Sequence, residues 1–410
     1  MQLAKRTFPT LNPTNGQKIA DVAEADKADV DIAVAAAKAA FSRGSEWRSM
    51  DASARGVLIN KLADLLFRDI NDLAVLETLD NGKPYEDSIF DIQGSIDVLR
   101  YFAGYCDKIH GNTIPSDGEY FTLTRKEPIG IVGQIIPWNY PIAMLIWKWG
   151  PALAAGCTII LKPAEQTPLT ALAVAALSKE AGFPKGVINV LPGYGPTAGA
   201  AIALHNDVRK IGHFILEYSA KSNLKSVGLE LGGKSPLVIF DDADVDEAVE
   251  IAHNAIFTNH GQNCCAGSRT FVQAGIYGEF VRKAGDKAKA RKIDKPSLEK
   301  ILRMVKSGIE EGATLETGGN QIGNEGFFVE PTVFSDVTDN MTIAKEEVKV
   351  ISRERKMKYP CFRVNCYDAI TPQTPFGGYK KSGIGRDLGE DSLKEYLQTK
   401  TISIKLPVKY

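Results

Sequence analysis

The sequence predicts an α/β protein built on a parallel sheet with helices on both faces. Three observations lead there. Between residues 129 and 212, short apolar runs alternate with helix-patterned segments, as a parallel sheet with crossover helices requires. Helix-patterned segments end on glycine, at Gly82 and Gly182, where a left-handed cap needs no Cβ. Apolar residues make up 44% of the 410, ample for large cores, and a chain this long predicts two or three domains.

Each element follows in order. Residues 26–45, DKADVDIAVAAAKAAFSRGS, are alanine-rich and form a first helix. ASARGVLINKLADLLFRDINDLAVLETLDNGK is a second, closed at Asn81-Gly82. EYFTLTRKEPIG alternates like a half-exposed strand and meets Pro128. IGIVGQIIPW is a buried strand, residues 141–155 an apolar helix, CTIILKP a strand and TPLTALAVAALSKEAG a helix. GVINVLPG, GPTAGAAIALHN and the start of VRKIGHFI repeat strand, helix, strand. SVGLELGGKSPLVIFDDADVDEAVEIAHNAIF then joins a Gly-Gly turn, a strand and a helix, and runs into paired cysteines. The final TISIKLPVKY presents Ile402, Ile404, Leu406 and Val408 on one face. Such a strand pairs with something, another subunit being one option.

Composition removes several classes of function. A net charge of −1 argues against nucleic acid or an anionic membrane as main partner. No run of 18 apolar residues occurs, so no spanning helix is expected. The N-terminal stretch MQLAKRTFPTLNPTNGQKIA lacks a secretory apolar core. The six cysteines are scattered without zinc-ribbon spacing. Free thiols in a reducing compartment and no metal are the expectation.

Ligands of open parallel sheets bind beyond the carboxyl ends of the strands. That rule selects Trp138-Asn139, Lys162 to Glu165 and Gly193 to Gly199. GYGPTAG places Gly193, Gly195 and Gly199 one residue wider than the dinucleotide fingerprint; it is a phosphate loop or an ordinary turn. Glu165 suits both hydroxyls of an adenosine ribose and would repel a 2′-phosphate, and Lys162 could donate there. Both also suit a plain charged loop. Glu230, between Leu229 and Leu231, is a general base or a satisfied structural acid. Asn139 is an oxyanion donor or a turn asparagine.

The stretch NHGQNCCAGSR, with Cys264 and Cys265, admits four readings. A vicinal disulfide needs a strained ring. Zinc with His260 lacks two further ligands at sensible spacing. Buried structural thiols and a nucleophile in a small-residue loop both stay open on local chemistry.

Longer motifs go further. GQIIPWNYP, KPAEQTPLTAL, EAGFPKGVINVLPGYGPTAGAAI, LELGGKSP, GQNCCAGSRTFVQ, EPTVF, MTIAKEE and VNCYDAITPQTPFGGYKKSG occur in order. Over nearly its whole length the chain resembles the NAD-dependent aldehyde dehydrogenase superfamily, most closely its retinal and mitochondrial-type members. The resemblance implies a Rossmann-like cofactor domain (1–110 and 129–232), an α/β catalytic domain (233–385) and a small β oligomerisation flap (111–128 and 397–410). It implies NAD as cofactor, a small apolar aldehyde as substrate, a homotetramer, and a cytoplasmic location with mitochondria as the other option. Cys264 matches the catalytic cysteine, Glu230 the general base and Asn139 the oxyanion amide, which acts with the Cys264 main-chain amide. Lys162 and Glu165 match the adenosine-ribose contacts. Ile135, Trp138, Gly195, Gly199, Leu231 and Gly232 match other cofactor positions, and Lys300 and Glu347 the nicotinamide-ribose contacts. Tyr140, Met144, Trp147, Thr258, Cys265 and Ile370 match the aldehyde tunnel.

The chain departs from the family pattern at three internal junctions, after VRKIG, KARK and AKEEV, where family segments are missing. Ser297 and Lys349 replace a glutamine and a phenylalanine that serve the nicotinamide end. An N-terminal hairpin of the family is also read as absent. Aldehyde oxidation is therefore weighed against a catalytically impaired paralogue or truncated isoform with a binding or structural role, and against cofactor-free ester hydrolysis by Cys264 and Glu230.

Overall fold

The computed structural model describes residues 6–212, 216–290, 298–323, 328–346, 367 and 369–406. The three junctions lie outside the described residues, as do Glu347, Ser297 and Lys349.

The chain opens on an antiparallel hairpin of β1 (Thr7–Leu11) and β2 (Lys18–Ala23). The turn runs through Asn12 to Gly16, with Gly16 left-handed at φ +74, a tight turn that favours asparagine and glycine. Helix α1 (Lys27–Phe41) starts on a capping box between Asp26 and Asp29.

The second expected helix is two, α2 (Ala52–Arg68) and α3 (Ile70–Asn81), broken at Asp69. Asp69 sits at φ −102, ψ 19, and Arg68 folds onto its carboxylate, a local bond that competes with the helix. Gly82 ends α3 in the left-handed region, its N–H donating to the Thr78 carbonyl, so the Asn81-Gly82 stop holds. Helix α4 (Tyr85–Ala103) was not anticipated. Its buried stripe of Ser88, Ile92, Ser95, Ile96, Leu99 and Phe102 is helical in period but interrupted by serines, which weakens the apolar signal.

Among the described residues the central sheet has six strands. β3 (Ile131–Ile135) pairs with β4 (Thr158–Lys162), and β4 with β5 (Ile188–Val190). On its other side β3 pairs with β6 (Val208–Gly212), and β6 with β7 (Ser226–Glu230). All these pairings are parallel. Only the edge strand β8 (Gly383–Ile384), against β7, runs antiparallel. One face carries α1 over Ile131, Ile160, Val208 and Ile211, with Ile202 of the helix Ala200–Leu204 in the same cluster. The other carries α2, α4 and a helix α5 (Pro141–Ala155). Helix α5 is buried along almost all its length, which explains why it reads apolar all round.

Beyond β7, Pro236–Ile239 and Arg269–Val272 pair in parallel around the helix Val245–Phe257. The C-terminal strand Leu397–Lys405 finds its partner in this chain, pairing antiparallel with Tyr120–Pro128 over its full length.

Candidate active site

The carboxyl end of β3 leads through Trp138 and Asn139 into α5, with Pro141 at its first turn, where a missing N–H costs nothing. Asn81 at the end of α3 donates through Nδ2 to the Trp138 carbonyl at 2.7 Å. The Asn139 side chain turns toward the cysteine loop, its Nδ2 donating to the Gln262 carbonyl at 2.8 Å.

That loop follows the helix Val245–Phe257 through three consecutive left-handed residues, Asn259, His260 and Gly261 (φ +49, +59 and +71). The reversal leads to a turn closed by Ala266 N–H on the Asn263 carbonyl at 3.0 Å, with Cys264 and Cys265 at its tip. Cys264 is a half-buried free thiol. Its main-chain N–H makes no hydrogen bond among the described residues, and the Asn139 amide is anchored on the same loop two residues before it, at the Gln262 carbonyl. Gly233 keeps this loop close: a Cβ there would come within 2.9 Å of the Cys264 carbonyl oxygen. Cys106 and Cys157 differ in kind, because burial pushes both thiols up to about 11. Among the described residues no three His, Cys, Asp or Glu side chains gather as metal ligands.

Glu230 ends β7, paired with Gly383. Its Oε1 lies so close to Gly377 that a Cβ there would meet it at 2.8 Å. Its carboxyl is held well above the usual carboxylate range. Burial is the main cause, Asp387 and Cys264 add to it, and Lys148 and Arg386 oppose it. Lys148, from buried α5, forms an ion pair with Asp387. Arg386 donates to the Gly378 and Gly385 carbonyls at 3.0 and 2.6 Å. Sequence reasoning missed Lys148, Arg386 and Asp387. Lys148 had a signal, being the only charge in residues 141–155.

Six of the proposed cofactor residues, Ile135, Trp138, Lys162, Glu165, Gly195 and Gly199, lie at or after the carboxyl ends of β3, β4 and β5. Lys162 is buried, and its Nζ donates to Pro163 O (2.9 Å), Gly193 O (2.7 Å) and Glu165 Oε2 (3.0 Å). Burial lowers its pKa, against Glu165. It thus ties two of these loops together. Gly195 to Gly199 form a π-helical turn, a wide turn that accommodates the extra residue of the glycine motif. A Cβ on Gly199 would touch Ile135 and Lys162 at 3.6 Å, while none lies within 4 Å of one on Gly195. Leu231 and Gly232 follow Glu230, with Leu231 N–H on the Ser382 carbonyl at 3.1 Å. Lys300 lies on the helix Leu298–Glu310, remote in sequence from these loops, and its side chain is outside the described residues.

A cavity of about 650 Å³ opens at Cys264. Tyr140, Met144, Trp147, Thr258, Cys265 and Ile370 all line it. Helix α4 supplies a further wall through Phe90, Gly94 and Val98, missed because α4 itself was missed. Trp147 meets Phe376 edge-on at 5.2 Å, and Lys83 lies 4.4 Å over the Tyr140 ring.

The model of the aldehyde dehydrogenase family matches residues 2–350 and 349–402. The break between the two matches falls at the junction read after AKEEV. Human retinal dehydrogenase 2 is 50% identical over 464 aligned positions, covering 98% of this chain and 90% of that protein. The mitochondrial aldehyde dehydrogenase of Sus scrofa is 51% identical, covering 99% and 90%. An alignment of 464 positions exceeds the 410 residues present, so these relatives carry internal segments that this chain lacks. Among solved structures, the NAD+ complex of an aldehyde dehydrogenase from Bacillus cereus superposes with a TM-score of 0.94 at 41% identity, covering 98% of this chain and 94% of that one.

Proposed function

The chain belongs to the aldehyde dehydrogenase family and is an NAD-dependent oxidoreductase of aldehydes; from that premise we propose that Cys264 is its nucleophile. One observation carries the assignment: the free Cys264 thiol opens on a mainly apolar cavity, and the Asn139 amide is bound to the same loop two residues before it. A free thiol is only about 3% thiolate at pH 7, so the attacking species is the minor thiolate fraction, its proton released to solvent. Glu230, whose pKa is raised chiefly by burial and in part by Asp387 and Cys264, is kept for the hydrolysis step. The thiolate adds to the carbonyl carbon. The resulting oxyanion is held by Asn139 Nδ2 and the Cys264 N–H, one such donor being worth roughly 3–4 kcal/mol.

The residues at the carboxyl ends of the strands fit a dinucleotide: an open edge at Gly195 and a partly exposed Glu165, tied through Lys162 to the Gly193 carbonyl. We assign Ile135, Trp138, Lys162, Glu165, Gly195, Gly199, Leu231 and Gly232 to holding NAD, with Lys300 and Glu347 toward its nicotinamide ribose. When bound, NAD supplies the acceptor for the hydride whose departure leaves a thioester on Cys264. Glu230 then takes a proton from water, and the resulting hydroxide releases the carboxylic acid and restores the thiol. Glu165 selects NAD over its 2′-phosphorylated form by charge.

The walls of Tyr140, Met144, Trp147 and Ile370 suit an apolar aldehyde chain, retinal-type substrates included. We propose a homotetramer joined through the flap, in the cytoplasm rather than the mitochondrion. Sedimentation of the purified chain and imaging of a tagged copy test these two points. The Cys264→Ala variant tests the chemistry: NADH formation from an aliphatic aldehyde should vanish. Turnover at the wild-type rate would refute the nucleophile.

A further inference from the structure

Two oxyanion donors help only if they converge on one oxygen, and these two come from loops far apart in sequence. Asn139 and Gln262 are separated by 123 positions. We propose that Asn259 is the positioning residue that fixes this separation, a role that rests on the assignment of Asn139 and Cys264 above.

Asn259 is only 3% exposed. Its Nδ2 donates to the Asn139 carbonyl at 2.9 Å and reaches the Gln262 carbonyl at 3.4 Å. The Asn139 side chain donates to the same Gln262 carbonyl at 2.8 Å. Gln262 N–H returns a bond to the Asn259 carbonyl at 3.0 Å. A single buried amide therefore joins the main chain at Asn139 to the main chain two residues before Cys264. Asn81 adds to the hold on the donor loop, its Nδ2 donating to the Trp138 carbonyl at 2.7 Å and reaching the Asn139 carbonyl at 3.5 Å.

The backbone adds a second demand. Asn259 stands in the left-handed region at φ +49, which asparagine tolerates better than most side chains. Glycine would satisfy the backbone and lose the bridge. Aspartate would keep size and backbone but set a carboxylate against two carbonyl oxygens. Alanine would lose the bridge and strain the turn. Asparagine alone among these meets both requirements, its amide held by the Asn139 and Gln262 carbonyls at the edge of the cavity.

Aldehyde turnover and alkylation separate positioning from support. Iodoacetamide forms its C–S bond with Cys264 by displacing iodide, so no oxyanion arises; aldehyde addition creates one. In Asn259→Gly, kcat should fall roughly 10- to 100-fold, while the KM for NAD+ and the Cys264 alkylation rate stay within about threefold of wild type. In an Asn139→Ala background the same substitution should add little, because the residue it positions is gone. Asn259→Asp carries the same comparison if the glycine variant melts early. Unchanged turnover in Asn259→Gly overturns the proposal. So does a parallel loss of turnover and alkylation, which would place Asn259 in the support of the cysteine loop, and so does failure of both variants to fold. If instead wild-type protein alkylated at Cys264 still forms NADH, the nucleophile assignment itself fails.

Discussion

Replacing Asn139 by alanine separates catalysis from stability most sharply. The substitution removes one of two oxyanion donors, which costs about 2.7–4 kcal/mol of transition-state stabilisation, or roughly 10²- to 10³-fold in kcat. Its structural cost is smaller. The amide makes one neutral bond, to Gln262 O at 2.8 Å, worth about 1 kcal/mol net. That carbonyl keeps the Asn259 amide at 3.4 Å, so it is not stripped of partners. For a chain of this size such a loss moves Tm by about 1–2 °C. The assay pairs steady-state NADH formation with thermal melting and iodoacetamide labelling of Cys264. A kcat loss of two to three decades, with labelling and Tm nearly intact, is the expected result. A loss below about tenfold, or a melt early enough to explain the lost activity, refutes the reasoning.

Glu230→Gln should preserve the first, pre-steady-state turnover and slow the steady state by roughly 10²- to 10⁴-fold, measured by stopped-flow NADH formation. In the wild type the deacylation rate should climb with pH through the raised Glu230 pKa, and the variant should lose that limb. A second buried acid tests the fold. Burial pushes Asp80 up to about 6, although Leu169 N–H and Thr10 Oγ1 both donate to it at 2.8 Å. A carboxyl with a raised folded pKa stabilises most when protonated, below its unfolded value of 3.8, and that contribution is lost as pH rises through about 6. The change amounts to roughly 3 kcal/mol. Asp80→Asn should flatten that part of the pH–stability curve in urea titrations; an unchanged slope would remove Asp80 as its source.

The parallel sheet was legible because its strands read as buried runs between glycine-capped helices, and β3, β4 and β6 lie where those runs are. Helix α4 was not, because Ser88 and Ser95 occupy its buried face and hide the apolar period. The break at Asp69 was hidden by continuous helical patterning on both sides. Within the site, Cys264, Glu230 and Asn139 stood out as unusual residues in ordered motifs. Their supporting residues did not. Asn259 reaches Asn139 across 120 positions, and Asp387 reaches Lys148 across 239; only tertiary structure joins such pairs. Two local signals were available all the same. Asn-His-Gly favours left-handed backbone, and Lys148 is a lone charge in an apolar helix that had to find a partner.

The covalent step on Cys264 is open to direct observation. Glu230→Gln protein is mixed with NAD+ and an aliphatic aldehyde, quenched in acid and analysed by peptide mass spectrometry. NADH should form at one equivalent per active site, with the matching acyl mass on Cys264 and none on Cys265. An aldehyde-dependent burst with no acyl group on Cys264, or with the acyl group on Cys265 instead, would contradict the assignment.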